Sequence, residues 1–304
     1  MQKDQTVART RHYNPVAGNI KGIAAMVAAT ALFTLGDASM KLVSGSLPTG
    51  ETVFVRSLCT VILTTAAALV TGGIISLKRA LVPAMGWRSV GDVGASLFFQ
   101  GALARMPFAD IIGVLQMTPL TLTAASAVFL GEHVGWRRWT AVLIGLGGAL
   151  LIIKPGSSTF NYWAILAVLA VLSSTLRDIT TRRLNPMLSP LVILMLSQMT
   201  VALAALGCTT FETWAAPNLG EFARLLLASI FSLVGQLCVI HSLRSGEISA
   251  IAPFRYTGMV WAILLGLFLW DDLPDALSFV GILILMSAGL YTFSREQKLR
   301  RPDQ

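Results

Sequence analysis

Ten apolar stretches, each long enough to cross a lipid bilayer, follow one another from Gly22 to Phe293 with only short connections between them. A hydrocarbon layer about 30 Å thick requires roughly 20 mostly apolar residues in a helix. Because lipid offers the backbone no hydrogen-bonding partner, such segments must satisfy their own polar groups as helices. A content of 55% hydrophobic and 12% charged residues agrees with this interpretation. The sequence therefore predicts an all-α integral membrane protein.

Segments that contain proline or glycine separate the apolar stretches and mark the helix ends. The ten predicted transmembrane helices are 20–43, 51–73, 88–104, 108–131, 137–155, 160–183, 189–211, 222–243, 248–271 and 275–294. If both termini are cytoplasmic, Arg105 and Lys154 are the only basic residues of the predicted outer loops, whereas the inner loops and the tails hold 16. The remaining five lie within spans: Lys41, Arg56, Arg177, Arg224 and Arg255. This asymmetry follows the positive-inside rule and predicts that both termini are cytoplasmic.

The two halves of the chain align weakly on each other in a consistent order, which indicates a duplication. The matching positions are Thr34 and Thr175, Asp37 and Asp178, Lys41 and Arg182, Arg105 and Arg244, Thr118 and Thr257, Phe129 and Phe268, Leu130 and Leu269, and Glu132 and Asp271. Each half holds five predicted spans, an odd number, so the second half is expected to be inverted relative to the first. We predict five-helix repeats at 18–155 and 160–296, with cytoplasmic tails at 1–17 and 297–304.

Inverted repeats are typical of secondary transporters, which bind their substrate near the membrane midplane between the repeats. A duplicated bundle without transport is the alternative. The net charge of +8 does not indicate a nucleic-acid partner, because the basic residues lie at span ends and form no face interleaved with aromatic residues. The partners expected from the sequence are a small-molecule substrate and the lipid bilayer, and a homodimer is left open.

Short motifs repeat in the two halves. The first half contains Ala102-Leu103-Ala104-Arg105, a helix with Pro119 that ends in Phe129-Leu130-Gly131-Glu132, and a glycine-rich helix at 144–149. The corresponding segments of the second half are Ser242-Leu243-Arg244, Ala252-Pro253-Phe254-Arg255-Tyr256, 269–274 and 287–291. Over essentially its whole length, the chain resembles the EamA-type ten-helix carriers of the drug/metabolite transporter superfamily. One departure is Trp270-Asp271, where that family usually has Gly-Glu.

This resemblance implies a multi-pass carrier of the bacterial inner membrane that moves small organic solutes. The runs 252–256 and 271–275 look most similar to the riboflavin and S-adenosylmethionine branches, which implies uptake of one of these compounds. Export of amino acids or of other metabolites or drugs is the alternative within the same superfamily.

Arg255 is the strongest candidate for substrate contact. A cation inside a span, with no acidic neighbour within a helical turn, needs a partner from another helix or an anionic ligand. Its neighbour Tyr256 offers an aromatic face with a polar group. Pro253 is expected to bend the helix beside Arg255, and Pro119 to do the same in the first half.

Three intramembrane glutamines are further candidates. Gln100 and Gln236 lie near the middle of corresponding spans, and Gln116 aligns with Arg255. Each amide could bind the substrate or form a hydrogen bond between helices, which contributes only about 1 kcal/mol in model systems. The sequence leaves both roles open.

Several ionisable residues also lie within or near the predicted spans. Asp37 and Lys41 are four residues apart and are predicted to pair on one helix face, as a coupling or a structural ion pair. His241 could carry a coupling proton, because histidine titrates near neutral pH, or could lie at the interface. Arg177 and Asp178 are interpreted as snorkelling towards the inner surface.

The sequence contains no Gly-x4-Gly-Lys-[Ser/Thr] phosphate loop, so ATP is not expected to drive transport. No metal site or cofactor is expected either, since the three cysteines lie inside spans without metal-ligand spacing. An enzyme that modifies lipid head groups would need titratable groups that converge near one interface, and Asp178 and His241 are the only start for such a site. A passive pore is the remaining alternative.

Overall fold

The computed structural model describes residues 15–73, 77–131, 135–155, 161–185, 187–245 and 251–300, which contain helices and no strand. The helices are α1 (Pro15–Val43), α2 (Thr49–Val70), α3 (Leu77–Ala80), α4 (Pro83–Leu103), α5 (Phe108–Leu115), α6 (Thr118–Phe129), α7 (Trp136–Ile153), α8 (Ala164–Thr181), α9 (Pro190–Thr209), α10 (Leu219–Ser245), a 3-10 helix (Ala252–Tyr256), α11 (Thr257–Trp270) and α12 (Ala276–Arg300). The predicted all-helical membrane fold is confirmed.

Local sequence sets the helix ends. Pro83 and Pro190 are the first residues of α4 and α9, where the missing N–H of proline is not needed. Ahead of α10, the Asn218 side chain accepts a hydrogen bond from the Glu221 amide at 2.9 Å, and the Glu221 carboxylate accepts one from the Asn218 amide at 2.8 Å. This reciprocal capping satisfies two amides that would otherwise lack partners at the helix start.

Nine segments among the described residues are long and apolar enough to cross a membrane. Two of them are interrupted helices, since α5 and α6 form one segment and the 3-10 helix continues into α11. The third predicted span corresponds to α4, which has 21 residues but carries the charged Arg88 and Asp92 and is not among the nine. The tenth crossing therefore stays a prediction.

The long helices pack in pairs, each with one member from each half of the chain: α1 with α10, α2 with α9, α4 with α8, and α7 with α12. Glycines allow the closest approaches. A Cβ on Gly91 of α4 would lie 2.6 Å from the backbone nitrogen of Arg177, and a Cβ on Gly148 of α7 would lie 2.8 Å from the Gly281 carbonyl oxygen. Small residues at such crossings let helix backbones pack tightly, which drives association in lipid.

Candidate functional site

A cavity of about 660 Å³ lies between the two halves, within the range typical of small-molecule sites. It is lined by α1, α2, α4, the α5–α6 segment, α8, α10, the 3-10 helix, α11 and α12. The predicted residues that it contains are Asp37, Gln100, Gln116, Pro119, Arg255 and Tyr256. The predicted residues that lie outside its lining are Lys41, Pro253, Gln236 and His241.

Two of the helices that line the cavity are interrupted at corresponding positions. In the first half, α5 ends at Leu115 and α6 begins at Thr118. Between them, the backbone N–H of Gln116 donates to the Gly113 carbonyl in a tightened turn. In the second half, the 3-10 helix ends where Thr257 begins α11. A stretch of 3-10 geometry inside a helix often marks a functional hinge.

An equivalent side-chain hydrogen bond occurs at each of the two interruptions. Thr118 Oγ1 donates to the Leu115 carbonyl at 2.7 Å, and the aligned Thr257 Oγ1 donates to the Phe254 carbonyl at 2.6 Å. Each hydroxyl therefore caps the carbonyl three residues earlier at the same point of its segment. The chain thus builds the same turn twice beside the cavity.

Arg255 and Tyr256 lie at the second interruption. Arg255 was expected to be a buried cation, but its side chain is exposed at the cavity and makes no hydrogen bond or ion pair with another described residue. The cavity itself accounts for this exposure, because it separates Arg255 from the helices on the opposite side. Tyr256 is only 7% exposed and packs against Gly289 of α12. Arg255 is therefore available to a ligand, and Tyr256 is held in place by its packing.

Gln100 borders the cavity from α4 and is 1% exposed. Neither its Nε2 nor its Oε1 has a hydrogen-bond partner among the described residues. A buried amide without partners is destabilising by about 1–3 kcal/mol, so its retention needs an explanation. A ligand or a second conformation of the protein would supply the missing partners.

Arg56 is a cavity residue that the sequence interpretation missed. It lies on α2, where its Nη2 donates to Ser232 Oγ on α10 at 3.0 Å, and it interacts electrostatically with Asp37 on α1. A charged residue inside a span is itself a signal of function, and it was available in the sequence. Its partners on other helices could not be identified without the fold.

A second group of charged residues joins α4, α8 and α9 beside the cavity. Asp92 accepts from Arg88 at 2.5 Å and pairs with Arg177 at 3.5 Å, while Arg177 also binds Asp178 at 2.8 Å. Arg88 donates in addition to Ser197 of α9. The interpretation of Arg177 and Asp178 as snorkelling residues is therefore wrong, because Arg177 turns to the Asp92 carboxylate inside the bundle.

Asp37 and Lys41 both lie in the described part of the chain, but they do not form the predicted ion pair. Lys41 Nζ instead donates to the Met106 carbonyl and lies 5.4 Å from the centroid of the Trp270 ring. The rule for residues four apart considers one helix alone, and contacts with other helices override it here.

These Lys41 contacts belong to a packed layer at the end of the bundle that the charge rule places outside. The rings of Phe108 and Trp270 lie 5.2 Å apart, and Phe108 is fully buried. Lys154 donates to the Asp275 carboxylate at 2.6 Å, and this hydrogen bond holds the pKa of Asp275 at about 2, below its ordinary value. Lys41, Phe108 and Trp270 are called the outer layer below, and none of them lines the cavity.

Gln236 and His241 both lie on α10, away from the cavity lining. The His241 ring is within 3.2 Å of Ser245 Oγ near the exposed end of α10. His241 lies outside the lining because Val239 and Leu243 are the residues of α10 that border the cavity. The proton-carrier role of His241 and the binding role of Gln236 therefore lack support from the geometry.

Comparison with known proteins places this arrangement among transporters. The family model of the EamA-like transporter family matches the chain twice, at residues 20–154 and 161–294. The Pseudopaline exporter CntI of Pseudomonas aeruginosa (strain UCBPP-PA14) is 27% identical over 278 residues, which cover 91% of this chain and 97% of that protein.

Two further relatives have names that refer to other substrates. The S-adenosylmethionine uptake transporter of Rickettsia bellii (strain RML369-C) is 28% identical over 181 residues, which cover 59% of this chain and 62% of that protein. The Riboflavin transporter of Rhizobium johnstonii (strain DSM 114642 / LMG 32736 / 3841) is 25% identical over 199 residues, which cover 66% of each chain. A solved crystal structure with 18% identity has a TM-score of 0.64 and covers 93% of this chain and 99% of the other, which shows the shared fold.

Proposed function

Because the chain belongs to the EamA-like transporter family and is a multi-pass protein of the bacterial inner membrane, we propose that it is a secondary transporter that moves a small organic metabolite by alternating access. The observation that carries this proposal is the polar cavity between the two halves, beside two helices interrupted at corresponding positions. Discontinuous helices at a site between repeats are typical of secondary transporters.

The helix pairing supports two inverted five-helix repeats at 18–155 and 160–296. Replacing each helix by its counterpart in the other half converts the α1–α10 pair into the α8–α4 pair and leaves the α2–α9 and α7–α12 pairs unchanged. Two related units packed face to face produce this exchange. The two matches of the family model agree with the same division. Ten crossings with both termini in the cytoplasm complete this proposed architecture.

The cavity favours a state open to the cytoplasm. Its lining includes Arg182, Leu243 and Phe293, which lie towards the ends of α8, α10 and α12 that the charge rule places inside. At the opposite end, the outer layer fills the space between the halves. Alternating access then requires a second state in which the outer layer opens and the inner end closes.

The relatives support metabolite transport but differ in substrate and direction. The names of two relatives support our preferred substrates, riboflavin or S-adenosylmethionine, and the name of the S-adenosylmethionine relative supports uptake. Export of an amino acid or another metabolite is the second candidate, favoured by the exporter that aligns with nearly the whole chain. A lipid-modifying enzyme finds no support, because Asp178 is paired with Arg177 and His241 lies outside the cavity lining.

The test is counterflow in proteoliposomes that contain the purified chain and no ATP, with riboflavin, S-adenosylmethionine and individual amino acids as labelled solutes. We expect saturable counterflow of at least one solute and a reduction of about tenfold or more in Arg255→Ala. Arg183→Ala is the matched control, since Arg183 is exposed but does not line the cavity. Flux that rises linearly with concentration and shows no counterflow would indicate a passive pore.

A further inference from the structure

The charges on the cavity lining are not balanced. The charged residues among its described members are Asp37, Arg56, Arg177, Asp178, Arg182 and Arg255, which are four cations and two anions. Charges inside a membrane protein are destabilising unless they are paired or hydrated. Asp92, which does not line the cavity, is paired with Arg177, and Arg182 donates to Ser126, so these two cations have partners within the protein. Arg255 differs from them, because no described residue forms a hydrogen bond or an ion pair with its side chain.

One of the two cavity carboxylates is held in an ion pair, and the other interacts with an arginine at longer range. Asp178 is bound by Arg177 at 2.8 Å, whereas Asp37 forms no ion pair among the described residues and interacts with Arg56 only electrostatically. A cationic ligand at Asp178 would have to displace Arg177, and at Asp37 it would be repelled by the charge of Arg56. Both carboxylates are therefore weakened as binding sites for a cation.

An anionic ligand, by contrast, can bind an arginine at the cavity without displacing a partner. Arg255 is exposed at the cavity and has no hydrogen-bond or ion-pair partner among the described residues, so a ligand does not have to displace an internal partner. The planar guanidinium binds a carboxylate or phosphate through two parallel hydrogen bonds. The same cavity also contains aromatic side chains, among them Phe33, Phe99 and Phe293.

We infer that the substrate of this cavity is an organic anion with an apolar or aromatic body, whose anionic group binds the Arg255 guanidinium. This inference rests on the proposed transport function and changes the preference among its substrates. It disfavours S-adenosylmethionine, which carries a net positive charge, and gives no advantage to riboflavin, which is neutral, so that it favours the second candidate, another metabolite with an anionic group. The aromatic side chains contact the body of the ligand, and Arg255 selects its charge.

The positive-inside rule gives a competing account of the same arginines, because it enriches cations at the cytoplasmic end without any ligand. The two accounts differ in what they predict for binding. A topogenic arginine has no preference between ligands that share a body, whereas an anion site prefers the ligand with the negative group.

The test measures binding of three probes with the same body, 4-phenylbutyrate, 4-phenylbutanol and 4-phenylbutylamine, to the purified full-length protein in nanodiscs by calorimetry. We expect the carboxylate to bind about tenfold more tightly than the alcohol, and the amine most weakly. Arg255→Gln should remove this order, Arg255→Lys should retain it in part, and Arg183→Gln should leave it unchanged. Size-exclusion profiles check that each variant is folded.

Equal binding of the three probes, no binding of any, tighter binding of the amine, or an unchanged preference in Arg255→Gln would each overturn the inference. The counterflow assay separates this result from the transport proposal. Anion-selective binding without counterflow of any solute would remove transport and keep the anion site. Counterflow of a solute that 4-phenylbutyrate does not inhibit would keep transport and remove the anion site.

Discussion

Gly289 of α12 lies directly against the phenol of Tyr256, so that a Cβ built on the glycine would come 1.7 Å from the tyrosine hydroxyl oxygen. No side chain other than hydrogen fits at this position while Tyr256 keeps its place. Tyr256 in turn ends the 3-10 helix that carries Arg255 into the cavity. The glycine therefore fixes one wall of the candidate site through the tyrosine.

We expect Gly289→Ala to displace the Tyr256 ring and to reduce transport by about tenfold or more, because misplacing a binding group by about 1 Å has effects of this size. Gly147→Ala is the matched control: Gly147 is also helical, and a Cβ there would meet nothing within 4 Å. The control should fold at least as well as the parent, since alanine favours a helix more than glycine does. Initial rates of uptake or efflux measure the difference. Equal rates in the two variants would show that the position of Tyr256 does not matter.

Asp92 binds two arginines from within the bundle, Arg88 at 2.5 Å and Arg177 at 3.5 Å, and is 5% exposed. Asp92→Asn removes the shared counterion and leaves both cations with less compensation. Breaking a buried ion pair in this way destabilises proteins by about 3–5 kcal/mol. We expect a clear fall in the midpoint of thermal unfolding in detergent.

Asp275→Asn is the control for Asp92→Asn. Asp275 pairs with Lys154 at 2.6 Å, but its side chain is 56% exposed. Exposed pairs contribute at most about 1 kcal/mol, so this variant should unfold close to the parent. If Asp92→Asn were as stable as Asp275→Asn, the charged group between α4 and α8 would not hold the helices together.

Gln100 and Gln236 provide a direct comparison between the halves. Gln100 has a buried, unpaired amide at the cavity, whereas its counterpart Gln236 lies outside the lining. We expect Gln100→Leu to lose transport while its free energy of unfolding rises by about 1 kcal/mol, because an apolar group replaces an unpaired amide. Gln236→Leu should leave transport unchanged. Loss of stability in Gln100→Leu would instead assign a structural hydrogen bond to this amide.

The sequence predicts the helices well and the partners of charged residues poorly. Apolar length and proline positions are local properties, so the spans could be located without knowing the fold. Asp37 interacts electrostatically with Arg56 of α2 and forms no ion pair with Lys41 of its own helix. This arrangement depends on α10, which packs against both α1 and α2. Arg177 and Asp92 are likewise far apart in sequence. Only the glycine crossings between α4 and α8 bring them together.

The predicted orientation can be tested with reporter fusions. Alkaline phosphatase needs disulfides and is active only in the oxidising periplasm, whereas green fluorescent protein folds in the cytoplasm. We expect the phosphatase to be active when fused after Asp275, between α11 and α12, and inactive when fused after Asn185, between α8 and α9, or after Gln304. The fluorescent fusion at Gln304 should be bright. The fusions after Asn185 and Asp275 lie on opposite sides of the membrane only if an odd number of crossings separates them. The described helices α9 and α10 and the 3-10–α11 segment supply three. An active phosphatase at Gln304 would place the C-terminus in the periplasm and would contradict the predicted orientation.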